Sequence, residues 1–150
     1  MDRILVGLDA SDRAVEVLEA ATELARRTGG KLILFRAVGV PHEIPVEAYS
    51  MTPATLAELL EREAQGYLDR IAATLPPGML LEAVVHVGTP WQGICAAADR
   101  NQADMIVIGS HGYSGLDRLI GTTAAKVVNH AKQSVLVVRG HPDLAPRDGE

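Results

Sequence analysis

The chain has 150 residues, 47% of them apolar and 22% charged, with a formal net charge of −5. These values exclude a disordered or collagen-like chain, and a net-negative chain lacks the broad basic footprint that nucleic-acid phosphates require. The single cysteine, Cys95, excludes an internal disulfide, and no apolar run reaches the roughly 18 residues of a membrane span. A chain this long fits one domain and buries roughly 70% of its unfolded surface. Aromatic residues are scarce, with one Phe, three Tyr and one Trp, so the core is expected to be aliphatic. The start, Met1-Asp2-Arg3 and then an apolar run cut short by Asp9, is too brief for a signal peptide. A soluble, cytoplasmic protein that engages neither nucleic acid nor membrane is expected.

Apolar runs then alternate with amphipathic stretches. Ile4 to Leu8 is a short aliphatic run that predicts a buried strand. Ser11 and Asp12 are suitable helix caps, and Val15, Leu18, Ala21, Leu24 and Ala25 share one helical face. Thr28-Gly29-Gly30 stops that helix. Leu32 to Phe35, running on to Val38, predicts a second strand. Residues 39–54 hold three prolines and no periodicity, which predicts a long loop.

A long amphipathic helix follows, marked by Leu56, Leu59, Leu60, Ala64, Tyr67, Leu68, Ile71 and Leu75 and ended by Pro76-Pro77-Gly78. Leu80 to Val87 predicts the third strand, and Pro90 opens a helix carrying Ile94, Cys95 and Ala98. Met105 to Ile108 predicts the fourth strand. Thr122 to Ala131 predicts a helix with Ala124, Val127, Val128 and Ala131 inward, and Ser134 to Arg139 the fifth strand. The polar stretch 141–150 is expected to be a flexible tail.

Strands separated by helices of about ten residues require parallel pairing with right-handed crossovers. Continuous aliphatic strands fit a sheet buried on both faces. The expected architecture is a single open, doubly wound, Rossmann-like α/β domain, a five-stranded parallel sheet with helices on both faces. Such sheets bind ligands at the carboxyl ends of their strands, where the strand order reverses.

The segment with most chemistry is Ile108-Gly109-Ser110-His111-Gly112-Tyr113-Ser114-Gly115, followed by Gly121-Thr122-Thr123 at a helix start. Glycines three apart allow close backbone approach, the hydroxyls of Ser110, Ser114, Thr122 and Thr123 can donate to phosphate, and a helix start offers free N–H groups. A polyphosphate cradle and a merely connecting glycine-rich turn both fit. The Gly-Lys-Ser/Thr triplet of a P-loop is absent, and Asp9-Ala10-Ser11-Asp12 stands where a dinucleotide fingerprint would lie.

The histidines at 42, 86, 111, 130 and 141 lack metal-ligand spacing. Cys95 reads as a packed thiol, Trp91 as a packing or interface residue, and Ser11 and Ser114 lack an evident His/Asp partner for a hydrolase triad.

From Ile4 to Arg139 the chain resembles the universal stress protein family. The resemblance rests on Val6-Gly7-Leu8-Asp9-Ala10-Ser11, on Val87-Gly88-Thr89-Pro90, on Ile108-Gly109-Ser110-His111-Gly112, on Gly121-Thr122 with the helix to Asn129-His130-Ala131, and on Ser134-Val135-Leu136-Val137-Val138-Arg139. It implies strand order 3-2-1-4-5, a nucleotide-binding domain over 1–140, a homodimer paired through the last strand (134–139), and bound ATP. ATP-binding members share a glycine, two residues, a glycine, nine residues, a glycine and then Ser or Thr. Gly109, Gly112, Gly121 and Thr122 match, but the interval from Tyr113 to Ile120 is one residue shorter than that pattern.

Position by position, the resemblance implies that Asp9 sits beside the ribose or a phosphate-bound Mg²⁺. Gly7 and Ala37 border the adenine, and Gly88 lies at the ligand edge. Gly109, Ser110, Gly112, Gly121, Thr122 and Thr123 hold the phosphates. The implied function is a dimeric, nucleotide-dependent switch in stress response, acting on an unidentified protein partner. A slow ATP hydrolase and a nucleotide-free dimeric scaffold are the alternatives.

Overall fold

The computed structural model describes residues 2–9, 11–39, 53–110 and 121–140. Strands and helices alternate along them. They are β1 (Arg3–Gly7), α1 (Ala14–Thr28), β2 (Lys31–Val38), α2 (Pro53–Ala72), β3 (Leu80–Val87), α3 (Pro90–Arg100), β4 (Met105–Gly109), α4 (Thr122–His130) and β5 (Ser134–Val138). The strands form one five-stranded sheet in the order β3-β2-β1-β4-β5, with every neighbouring pair parallel. This is the expected doubly wound architecture, including the strand order that the resemblance implied.

Two aliphatic cores follow from the alternation of side chains along a strand. Ile4, Val6, Leu32, Leu34 and Val107 face α1 and α2, where they meet Ala14, Val17, Ala21, Ala25 and Leu68. Leu5, Ile33, Phe35, Ile106 and Ile108 face α3 and α4, meeting Ile94, Ala97, Ala98, Ala124 and Val127. The central strands are thus buried on both faces. The outer strands β3 and β5 are half-exposed along most of their length, because each is paired on one side only among the described residues. An aliphatic run alone does not distinguish a central strand from an edge strand.

Several boundaries and faces differ from expectation. Val15 is 62% exposed, because α1 turns Ala14 inward and the next residue lies about 100° around the helix. Val128 is 49% exposed beside buried Val127 for the same reason. Neither Ser11 nor Asp12 caps α1: the cap position is Arg13, which makes no side-chain capping bond, while the Ser11 carbonyl accepts the Ala14 N–H at 3.1 Å. Helix α2 begins at Pro53, inside the segment expected to be loop, and ends at Ala72; tight turns through Thr74 and Leu75 then lead to Pro76. Helix α4 ends at His130, and β5 at Val138. The remainder of the expected loop, 40–52, and the expected tail, 141–150, lie outside the described residues.

Candidate functional site

The chain leaves β1 for β2 on one side, and later leaves β3 to cross over to β4 on the other side. The strand order therefore reverses between β1 and β4, and the carboxyl ends of these strands are where sheets of this kind bind ligands. The turns that meet there follow Gly7 and Gly109.

Gly7 is the last residue of β1. A Cβ added there would lie 2.9 Å from Ile108 Cγ2 and 3.5 Å from Ile94 Cδ1, so glycine is already required by packing beneath the rim. Asp9 follows two residues later. Its Oδ1 accepts the Ser11 N–H at 2.9 Å and the Ser11 hydroxyl at 2.5 Å. Its backbone carbonyl accepts the Tyr67 hydroxyl at 3.0 Å. The Leu8 N–H donates to the Phe35 carbonyl at 2.8 Å, extending the ladder to the start of this turn.

Across the reversal, Gly109 ends β4 opposite Val138. Ser110 is 2% exposed. Its N–H donates to the Val138 carbonyl at 2.9 Å, and its carbonyl accepts the Gly121 N–H at 2.6 Å. The chain thus departs and returns at one point on the rim. Gly112, together with His111, Tyr113 and Ser114, falls between these anchors and outside the described residues.

Gly121 is the N-cap of α4 and has no side chain with which to cap it. The N–H groups of Thr122, Thr123 and Ala124 have no acceptor within the helix by its geometry, and the first turn carries no acidic residue. The first turn of α4 thus carries no acid of its own to compensate the positive end of the helix dipole.

Two further candidates sit apart. Ala37 in β2 is paired with His86 of β3. Gly88 follows β3, donates its N–H to the Val38 carbonyl at 2.9 Å, and has φ 140°, a conformation that side chains disfavour. The structure thus groups Gly7, Asp9, Gly109, Ser110, Gly121, Thr122 and Thr123 on the turns and helix start around β1 and β4, and Ala37 with Gly88 on the β2–β3 rim. From β4 to β3 is three strand spacings, roughly 14 Å, so the candidates suit an elongated ligand lying across the sheet edge.

The universal stress protein family model matches residues 1–139. The chain belongs to the universal stress protein family. It is 29% identical to a universal stress protein of Synechocystis sp. over 149 residues, covering 91% of this chain and 97% of that protein. The solved universal stress protein UspA of Lactobacillus plantarum is similar with a TM-score of 0.72 and 28% identity, covering 92% and 97% of the two chains. A universal stress protein crystallised in complex with cAMP is similar with a TM-score of 0.60 and 27% identity, covering 93% and 98%.

Sequence reasoning about this universal stress protein missed two features of the rim. Tyr67 reads as one member of an apolar helix face, yet its hydroxyl ties α2 to Asp9. The Arg36 guanidinium lies over its ring, 4.4 Å from the centroid. Burial pushes the Tyr67 phenol up, against the opposing pull of Arg36. The available signal was a tyrosine among leucines, since a tyrosine at a core margin keeps a polar tip free to reach a partner. His86 reads only as one of five histidines that lack metal-ligand spacing, yet it stands beside Ala37.

Cys95 is half-buried, and burial together with nearby Asp99 pushes its thiol up, away from nucleophilic use. Among the described residues, no three His, Cys, Asp or Glu side chains gather to hold a metal, and no helix is long and apolar enough to cross a membrane.

Proposed function

We propose that this cytoplasmic protein binds ATP across the carboxyl rim of its sheet and acts as a nucleotide-dependent regulatory switch. The single observation that carries the proposal is the bond between the Gly121 N–H and the Ser110 carbonyl, which holds the open start of α4 at the end of β4. Backbone N–H groups presented there attract phosphate without a cluster of basic side chains, consistent with the acidic net charge. The cAMP complex of a relative supports an adenine nucleotide as the ligand class.

In this reading Gly109, Ser110, Gly112, Gly121, Thr122 and Thr123 hold the phosphates. Gly7 and Ala37 border the adenine, and Gly88 marks the ligand edge. Asp9 faces the ribose or a Mg²⁺ that arrives with the phosphates. One oxygen of Asp9 is committed to Ser11, and the other has no hydrogen-bond partner among the described residues, so the carboxylate fits a single cation contact. Mg²⁺ would neutralise phosphate charge there. The switch acts through a homodimer paired along 134–139 and through a further protein partner. Residues 1–140 form the nucleotide-binding unit.

The test is to denature protein purified without added nucleotide, identify the small molecules released by mass spectrometry, and titrate the emptied protein with ATP, AMP and cAMP, with and without Mg²⁺. Saturable ATP binding is expected. No released nucleotide and no binding would overturn the proposal and leave the nucleotide-free scaffold.

A further inference from the structure

His86 occupies a prepared place at the same rim. It lies two residues beyond Val84 and opposite Ala37, so its side chain is on the α3 face of the sheet. Its ring stacks on Phe35, with centroids 6.2 Å apart and planes inclined by 27°. The imidazole fills the space that a side chain at position 93 would need: a Cβ on Gly93 would collide with His86 Cδ2, lie 2.6 Å from its Cγ and lie 2.9 Å from Phe35 Cζ. A Cβ on Gly88 would lie 3.0 Å from His86 Nε2. The carbon side of the ring is therefore wedged between Phe35 and the first turn of α3, while Nε2 points along the strand toward the turn that ends at the rim.

Neither ring nitrogen has a hydrogen-bond or ion-pair partner among the described residues, although the side chain is half-buried. Neither nitrogen is shut off from solvent, since the one buried side-chain N or O atom without a partner among the described residues is Gln133 Oε1, so the polar edge of the ring is open to a ligand. Here a rigidly held imidazole presents its polar edge beside Ala37 and Gly88. That edge lies on β3, away from the helix start at the end of β4. A ligand with its phosphates at α4 would bring its other end, the base beside Ala37, to this place.

We infer that His86 is a specificity-determining residue, its imidazole making a hydrogen bond to the nucleoside end of the bound nucleotide; the inference rests on the nucleotide-binding reading above. Imidazole supplies one donor and one acceptor when neutral, which matches the hydrogen-bonding edges of a nucleoside and contributes nothing to a bare phosphate chain bound at α4.

The experiment titrates ATP into wild type, His86→Phe and His86→Gln, and measures the thermal midpoint of each without ligand. Phenylalanine keeps the stack on Phe35 and removes both nitrogens, and glutamine returns a polar group near the place of Nε2. Expected are a loss of about tenfold in ATP affinity for His86→Phe at an unchanged midpoint, and recovery to within about threefold of wild type for His86→Gln. Unchanged ATP affinity in His86→Phe overturns the inference, as does a loss that tracks a falling midpoint, or a failure of His86→Gln to recover binding. A wild type that binds no ATP overturns the nucleotide reading itself, and this inference with it.

Discussion

At Gly7 the missing side chain is a packing requirement before it is a ligand requirement. A methyl group there meets Ile108 at 2.9 Å, and Ile108 and Ile94 are both buried, so one of them must leave its place. Overpacking of this kind costs typically about 1–3 kcal/mol. Gly7→Ala is expected to lower stability by that amount in urea unfolding, whether or not nucleotide is present. Tyr67 is a different case, because its hydroxyl is the part that reaches the candidate site. Tyr67→Phe keeps the ring under Arg36 and removes one hydrogen bond, so a stability loss of about 0.5–1.5 kcal/mol is expected. Asp9 itself then keeps its Ser11 contacts but loses its tie to α2, and ATP affinity is expected to fall more than the stability change alone would suggest. Equal ATP affinity in the two proteins, measured by calorimetry, would show that α2 does not brace the turn.

Among the elements, β1 and β4 are tied at their amino ends by more than their ladder. Asp104, just before β4, accepts the N–H groups of Asp2 and Arg3 at 2.9 and 3.0 Å. The Arg3 N–H first, and then that of Asp2, hold its carboxyl below the usual carboxylate range. A carboxylate lowered by folding stabilises the native state above its unfolded value, about 4, and that contribution is lost as pH falls through the lower folded value. Asp104→Asn is therefore expected to unfold at lower temperature than wild type at pH 7, with the gap closing below about pH 4. A gap that stays constant down to acid pH would mean that the charge of Asp104 contributes nothing.

The elements themselves were legible because aliphatic runs and amphipathic stretches differ in period. Pro90 and Gly29 marked a helix start and a helix end that the structure retains. Faces were less legible: adjacent apolar pairs such as Ala14-Val15 and Val127-Val128 offer two phases, and only tertiary packing selects one. Of the candidate site, the glycines and Asp9 could be read along the chain. The Tyr67–Asp9 bond spans 58 positions, and the seat of His86 depends on Phe35 and Gly93 from other elements. No local pattern reports contacts of that kind.

For the whole molecule, the outer edge of β5 decides whether the proposed switch has two copies to act on. The Ser110 N–H bonds to the Val138 carbonyl, so the backbone groups of Val138, and with them those of Leu136 and Ser134, face β4. Those of Val135 and Val137 therefore face away from β4, where β5 has no strand beside it among the described residues. Leu136 is 40% exposed on this strand, and α4, which packs on β5, leaves Val128 exposed as well. An aliphatic strand edge with free N–H and C=O groups is a template for pairing. A two-fold axis sets two copies of one strand antiparallel, which closes the assembly at a dimer. A five-residue strand is too small for a standard interface of roughly 1,200–2,000 Å², so the exposed aliphatic side chains beside it must contribute. Val137→Pro tests the pairing selectively. It removes an outward N–H while the N–H and C=O groups that face β4 belong to Ser134, Leu136 and Val138. The wild type is expected to be a dimer by light scattering at tens of micromolar, and Val137→Pro to dissociate at least about tenfold more readily, equivalent to about 1.4 kcal/mol. A monomeric wild type at that concentration would remove the dimer from the switch, and a proline variant that remains as firmly dimeric as wild type would place the contact between copies elsewhere than β5.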